Sequence, residues 1–245
     1  VNFSTHYEAM AAQTISYVNR FQMCNATGGA NTISTPSGVQ NNDVMLKIVI
    51  TKDIGLHSTQ PGWTRIGTQQ NNGLAMSSSI YYRVANNEPA SFTMTIGSSA
   101  HCVGIVAYRG VDTANPIHLS ATPRNLTSDI EVLTNSISTT IADTHIVFLA
   151  AFGDDANFTN WTGSPSLTER VDLYTLSGTD ASVGIADGYK SGTGSTGTFS
   201  VDVGNDDGNS TGYNVALKPA PPSLPNLRVT NLELRRNSSD CSSGT

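Results

Sequence analysis

The chain alternates short apolar runs with clusters of turn residues and nowhere sustains a long helical period. Alternation with a period of two marks strands that have one covered and one wet face. In Ser91-Phe-Thr-Met-Thr-Ile96 the residues Phe92, Met94 and Ile96 share a face, as Phe199, Val201 and Val203 do in Thr198-Phe-Ser-Val-Asp-Val203. Other runs, such as Ile146-Val-Phe-Leu-Ala150, are apolar on both sides and predict central strands. Strands are expected over Thr14–Arg20, Met45–Thr51, Ser79–Ala85, Ser91–Ile96, Cys102–Tyr108 and Ser136–Ile141. Further strands are expected over His145–Ala151, Thr168–Tyr174, Ala181–Tyr189, Gly197–Val203 and Gly212–Lys218. Turn dipeptides such as Asn72-Gly73, Asp187-Gly188 and Pro61-Gly62 punctuate them. The one stretch of helical flavour is His6–Gln13, with Thr5 placed to cap it. This pattern predicts an all-β chain, a jelly-roll-like antiparallel β-sandwich with short N-terminal and C-terminal extensions.

Composition narrows the class. Of 245 residues, 38% are hydrophobic and only 13% charged, against about 25% charged in an average chain. That excludes a disordered chain, which would be apolar-poor and highly charged. The net charge of −6, with no basic patch, argues against a nucleic-acid partner. No apolar run approaches the roughly 18 residues that a membrane helix needs, so no membrane insertion is expected. No signal peptide is visible, and the opening at Val1 fits a processed or trimmed N-terminus. Ser and Thr together number 57 and Asn 21, against 13 Lys plus Arg. Such a surface is common among secreted and virion proteins, so a virion or extracellular location is expected. The seven Asn-x-Ser/Thr sequons are close to the roughly five that chance supplies at this composition and say nothing about a host.

The chain divides into an N-terminal extension with the first strand (1–25), a sandwich domain (26–218), a Pro-rich linker (219–226) and a terminal strand and tail (227–245). The linker Lys218-Pro-Ala-Pro-Pro-Ser-Leu-Pro225 reads as a stiff spacer. After it, Leu227, Val229, Leu232 and Leu234 alternate with polar neighbours. Nineteen to twenty residues cannot form a domain alone, so this segment is expected to pack back, join a partner chain or begin another module. It is the candidate assembly element.

Candidate chemistry is sparse. The three cysteines are Cys24, Cys102 and Cys241. Cys24 and Cys102 lie in strand-like stretches and could pair; the blander expectation is two buried free thiols and one exposed one. None of His6, His57, His101, His118 and His145 stands at metal-ligand spacing. Gly192-Thr-Gly-Ser-Thr-Gly197 matches a nucleotide-binding pattern by letter, but no helix follows it, so it reads as a flexible turn. Asp154-Asp155 reads as a solvated loop pair. Loop oxygens of Asn205, Asp206, Asp207 and Asn209 could hold calcium, although the spacing is not that of an EF-hand. No other cofactor is expected. Trp161, in the polar loop Asn157-Phe-Thr-Asn-Trp-Thr162, and the tyrosines Tyr189 and Tyr213 are candidates for stacking on sugar rings. No catalytic residue is assigned.

One ordered set of segments resembles a known family. It runs Thr35-Pro-Ser-Gly-Val39, Asn42-Asp-Val-Met-Leu46, Pro61-Gly-Trp-Thr-Arg-Ile66, Ile80-Tyr-Tyr-Arg-Val-Ala85 and Ala90-Ser-Phe-Thr93. It continues with Val106-Ala-Tyr-Arg-Gly-Val-Asp112, Asn115-Pro-Ile117, Thr168-Glu-Arg170, Ala186-Asp187 and Val215-Ala-Leu-Lys-Pro219. Over about residues 30–219 the order resembles a β-sandwich module found in phage virion proteins, tail fibres among them, and in bacterial extracellular proteins. The resemblance implies a structural or adhesive role and supplies no catalytic residues. The expectation is a non-enzymatic tail-fibre, spike or capsid-decoration module that assembles through its termini with itself or other subunits. The alternative is a carbohydrate-binding or adhesin module of a secreted bacterial protein, with a cell-surface glycan as partner.

Overall fold

A computed structural model describes residues 13–97, 99–175, 180–204 and 208–222. Residues 12–221 form one compact unit. No helix occurs among the described residues; the expected helix at 6–13 lies outside them except for Gln13. The strands are β1 (Ser16–Asn25), β2 (Gly29–Ser34), β3 (Val44–Thr51), β4 (Thr64–Asn72), β5 (Met76–Val84) and β6 (Ser91–Ile96). They continue as β7 (His101–Arg109), β8 (Ile117–Ser120), β9 (Arg124–Asp129), β10 (Glu131–Leu133), β11 (Ser138–Thr139) and β12 (Thr144–Phe152). The last are β13 (Thr159–Thr162), β14 (Thr168–Tyr174), β15 (Ser182–Lys190), β16 (Gly194–Ser195), β17 (Ser200–Asp202) and β18 (Gly208–Leu217).

Two antiparallel sheets make a sandwich. The first has the order β1-β7-β3-β5-β4, the second β14-β15-β12-β18-β8, with β9 also on β18. Between them Val44, Leu46, Ile48 and Ile50 of β3 meet Val147, Leu149, Val183, Ile185, Val215 and Leu217 in one core. Each sheet is also covered on its outer face. The β2-β6 ribbon lays Ile33, Met94 and Ile96 on Met45, Val49, Val103 and Ile105. The three strands β10-β17-β13, with Phe158 and Phe199, cover Ile146, Phe148, Ala150 and Phe152. This four-layer stacking is why β3 and β12 are buried at every position. Burying a large aliphatic side chain contributes about 1.5–3 kcal/mol, so two-sided burial nearly doubles what each central strand contributes.

The sandwich has two poles. At one, β1 begins and β18 ends: the Gln13 amide donates to the Ala220 carbonyl at 3.3 Å, and the Ala220 amide to the Gly110 carbonyl at 2.8 Å. Pro219 bridges Val111. Gly110 is required here: its φ is +84°, and a Cβ would stand 2.6 Å from the Thr14 carbonyl. The first residues of the expected linker are therefore docked, and the sandwich begins before residue 26, because β1 is a full member of the first sheet. At the far pole Lys52 donates to the Gly153 carbonyl, and Asn72 donates to the Ser210 carbonyl at 2.8 Å, tying the sheets together.

Cys24 and Cys102 form a disulfide. They are register partners of β1 and β7 at that far pole, with Cα atoms 4.1 Å apart. This overturns the expectation of two free thiols: direct cross-strand opposition brings both sulfurs to one spot. Cys241 lies outside the described residues.

Candidate functional site

The least expected group in the fold is a lysine inside it. Lys47 is in mid-β3, on the outer face of the first sheet, and is 1% exposed. Its Nζ donates to Gln60 Oε1 at 2.7 Å. The same nitrogen lies 4.1 Å from the Trp63 ring centre, 4.8 Å from Tyr81 and 5.7 Å from Phe92. Such rings favour an ammonium by about 0.5–2 kcal/mol. Burial outweighs them and, with the Arg83 charge adding to it, pushes the amine down from 10.5 to about 7. Among the described residues no carboxylate forms an ion pair with it.

Beside Lys47, loop 52–63 returns over the sheet and is pinned by His57. The imidazole sits among three hydroxyls: Nδ1 is 3.1 Å from Ser79 Oγ, and Nε2 is 3.0 Å from Thr51 Oγ1 and 3.2 Å from Ser77 Oγ. Burial, then the Arg65 charge, push His57 down to about 4, so the ring is neutral at physiological pH. Between this loop and β6 lies a cavity of about 90 Å³. Its walls include Lys47, Val49, Thr51, His57, Tyr81 and Met94. Leu56 also lines it and is 93% exposed, so the cavity reaches the surface there.

A second buried polar cluster joins the two sheets. Asp187 of β15 accepts from Tyr108 of β7 at 2.9 Å and pairs with Arg170 at 3.0 Å. His145 Nε2 is 3.4 Å from the same carboxylate. Burial pushes the Asp187 carboxyl up, but its neighbours His145 and Arg170 prevail and hold it below the usual range. Burial and the Asp187 charge together push the Tyr108 phenol far up. This cluster is enclosed and serves to register one sheet on the other.

The residues expected to bind sugar are not equivalent. Tyr213 is 1% exposed, and its hydroxyl is 2.7 Å from Ser78 Oγ. It is a core residue that links the two sheets, which corrects its reading as a stacking platform: β18 is central, and both its faces are covered. Trp161 is half-buried, lies edge-on to Phe148 and flat on Phe158, and donates to Glu169 at 2.9 Å. Tyr189 is 47% exposed and donates to Asp143. Asn205, Asp206 and Asp207 lie outside the described residues; Asn209, their neighbour, donates to the Asn72 carbonyl at 3.1 Å. Asp154 and Asp155 meet Asp180, with carboxylate oxygens within 4.8 Å of one another. Leu227, Val229, Leu232 and Leu234 lie outside the described residues. Arg109 pairs with Asp43 at 2.7 Å and also donates to the Gly38 carbonyl at 3.1 Å. Asp112 takes Lys218 at 2.8 Å.

Comparison with models of protein families, with curated proteins and with solved structures finds no match. The geometry therefore carries the functional reading. Lys47 was the residue that sequence reasoning passed over. Its signal was a lone charge inside Val44-Met-Leu-Lys-Ile-Val-Ile-Thr51: a strand apolar on both faces must bury any lysine it contains.

Proposed function

We propose that this chain is a non-enzymatic structural module of a virion or other extracellular assembly, of tail-fibre, spike or capsid-decoration type, on a jelly-roll-like sandwich. One observation carries the reading. The segments entering and leaving the sandwich lie side by side, joined through Gln13 and Ala220, so the sandwich is entered and left at one pole. The Cys24–Cys102 disulfide adds to it, because disulfides persist on secreted proteins and virion surfaces. The alternating residues Leu227, Val229, Leu232 and Leu234 suit a strand donated to the sheet edge of a neighbouring subunit.

The test compares the native mass of the full chain, by light scattering, with that of a chain ending at Pro222. This truncation keeps the contacts of Pro219 and Ala220. Assembly of the full chain with a monomeric truncation is the expected result. Two monomers would overturn the proposal and make glycan screening with Trp161→Ala the next step.

A further inference from the structure

We propose that Lys47 is an attachment site for a small aldehyde, which enters beside Leu56 and condenses with the lysine amine to form a Schiff base. Three observations converge. The amine is enclosed, and its hydrogen-bond acceptor is the neutral amide of Gln60 rather than a carboxylate; a cation without a counter-ion in a desolvated site gives up its proton readily. Lys47 lines a cavity that reaches the surface. The other lysines of the chain are placed differently: Lys52 donates to Gly153, Lys218 pairs with Asp112, and Lys190 is half-exposed at the end of β15.

The cavity sets the ligand class. At about 90 Å³ it holds roughly six water-sized groups, enough for an aldehyde of a few heavy atoms. Val49, Met94 and Ile96 offer apolar walls for a short alkyl group, and Ser58 offers a hydroxyl to the carbonyl end. In the reaction the nitrogen lone pair attacks the carbonyl carbon, and a proton passes from nitrogen to oxygen. Loss of water then leaves a carbon–nitrogen double bond. Amine and aldehyde become imine and water, and no redox partner is needed.

The experiment treats the native full chain with acetaldehyde and cyanoborohydride at neutral pH, which fixes each imine as an ethylamine, and maps the product by peptide mass spectrometry. Lys47 is expected to be labelled at least about tenfold faster than Lys52, Lys190 or Lys218, because more of its amine is neutral. In the urea-unfolded chain the preference disappears. Leu56→Trp, which narrows the mouth, slows labelling of Lys47 and leaves the other lysines unchanged. Labelling of Lys47 no faster than the rest, or only after unfolding, overturns the proposal. So does labelling that Leu56→Trp leaves untouched.

Discussion

The Tyr108 hydroxyl reaches across the core to Asp187, 2.9 Å away on the opposite sheet. Both side chains are buried, and Arg170 completes the group from the edge strand β14. Arg170 also lies 4.2 Å over the Tyr17 ring of β1, so the pairing that stacks the sheets also closes one side of the sandwich. An apolar interface could slide; a carboxylate that must find a phenol and a guanidinium admits one stacking.

Removing one member should therefore cost far more than an average substitution. Asp187→Ala leaves a buried phenol and a guanidinium unpaired and should destabilise the fold by about 3–5 kcal/mol. Tyr108→Phe removes a single donor and should cost about 1–3 kcal/mol. Urea unfolding followed by tryptophan fluorescence measures both. Equal effects would mean that the carboxylate is not the centre of the cluster.

His57 predicts how stability depends on pH. Its folded value of about 4 lies below the ordinary 6.5, so the unfolded chain binds the proton more tightly. The stability that rests on the neutral ring is complete above 6.5 and is lost as pH falls toward 4, by roughly 3 kcal/mol in all. His57→Gln, which cannot take up a proton, should flatten that part of the curve. Denaturant midpoints between pH 7 and 4 compare the two proteins, and parallel curves would contradict the assignment.

Thiol titration tests the disulfide directly. The chain has three cysteines, and pairing of Cys24 with Cys102 leaves one thiol in the unfolded, unreduced protein and three after reduction. With the partners 78 positions apart in sequence, reduction should lower stability by about 4 kcal/mol. The double variant Cys24→Ser, Cys102→Ser should reproduce that loss without reductant.

The joint at the tethered pole makes a prediction about glycine. Gly110→Ala forces a side chain into a left-handed backbone against the Thr14 carbonyl and should cost about 2 kcal/mol or more. Gly192→Ala, in the Gly-Ser-Thr turn, meets nothing within 4 Å and should be neutral within about 0.5 kcal/mol. Thermal unfolding separates the two.

Legibility followed how strongly each strand was patterned. β6 and β14 match the expected bounds, because Ser91–Ile96 and Thr168–Tyr174 stand between clear turn signals. β12 stands out by its apolar run Ile146–Ala151, and β3 by an apolar run broken only by Lys47. β4 was missed: Thr-Arg-Ile-Gly-Thr-Gln-Gln-Asn-Asn is an edge strand with a register shift between Ile66 and Gln70, and it buries little. β2, β8, β9, β10 and β13 were missed for the same reason; they pair at edges or in covering layers, where polar residues suffice. The burial of Trp63 over Lys47 depends on the loop that carries it back across the sheet, and no local pattern encodes that return.

Adjacent entry and exit also decide how the protein would bear tension. A pull between the two extensions acts at Gln13 and Ala220, next to the start of β1. It peels β1 from β7 pair by pair, beginning at Ser16 and Arg109. The peeling would run the length of the strand to Cys24, where the bond to Cys102 stops it. Under load the module yields by one strand and holds.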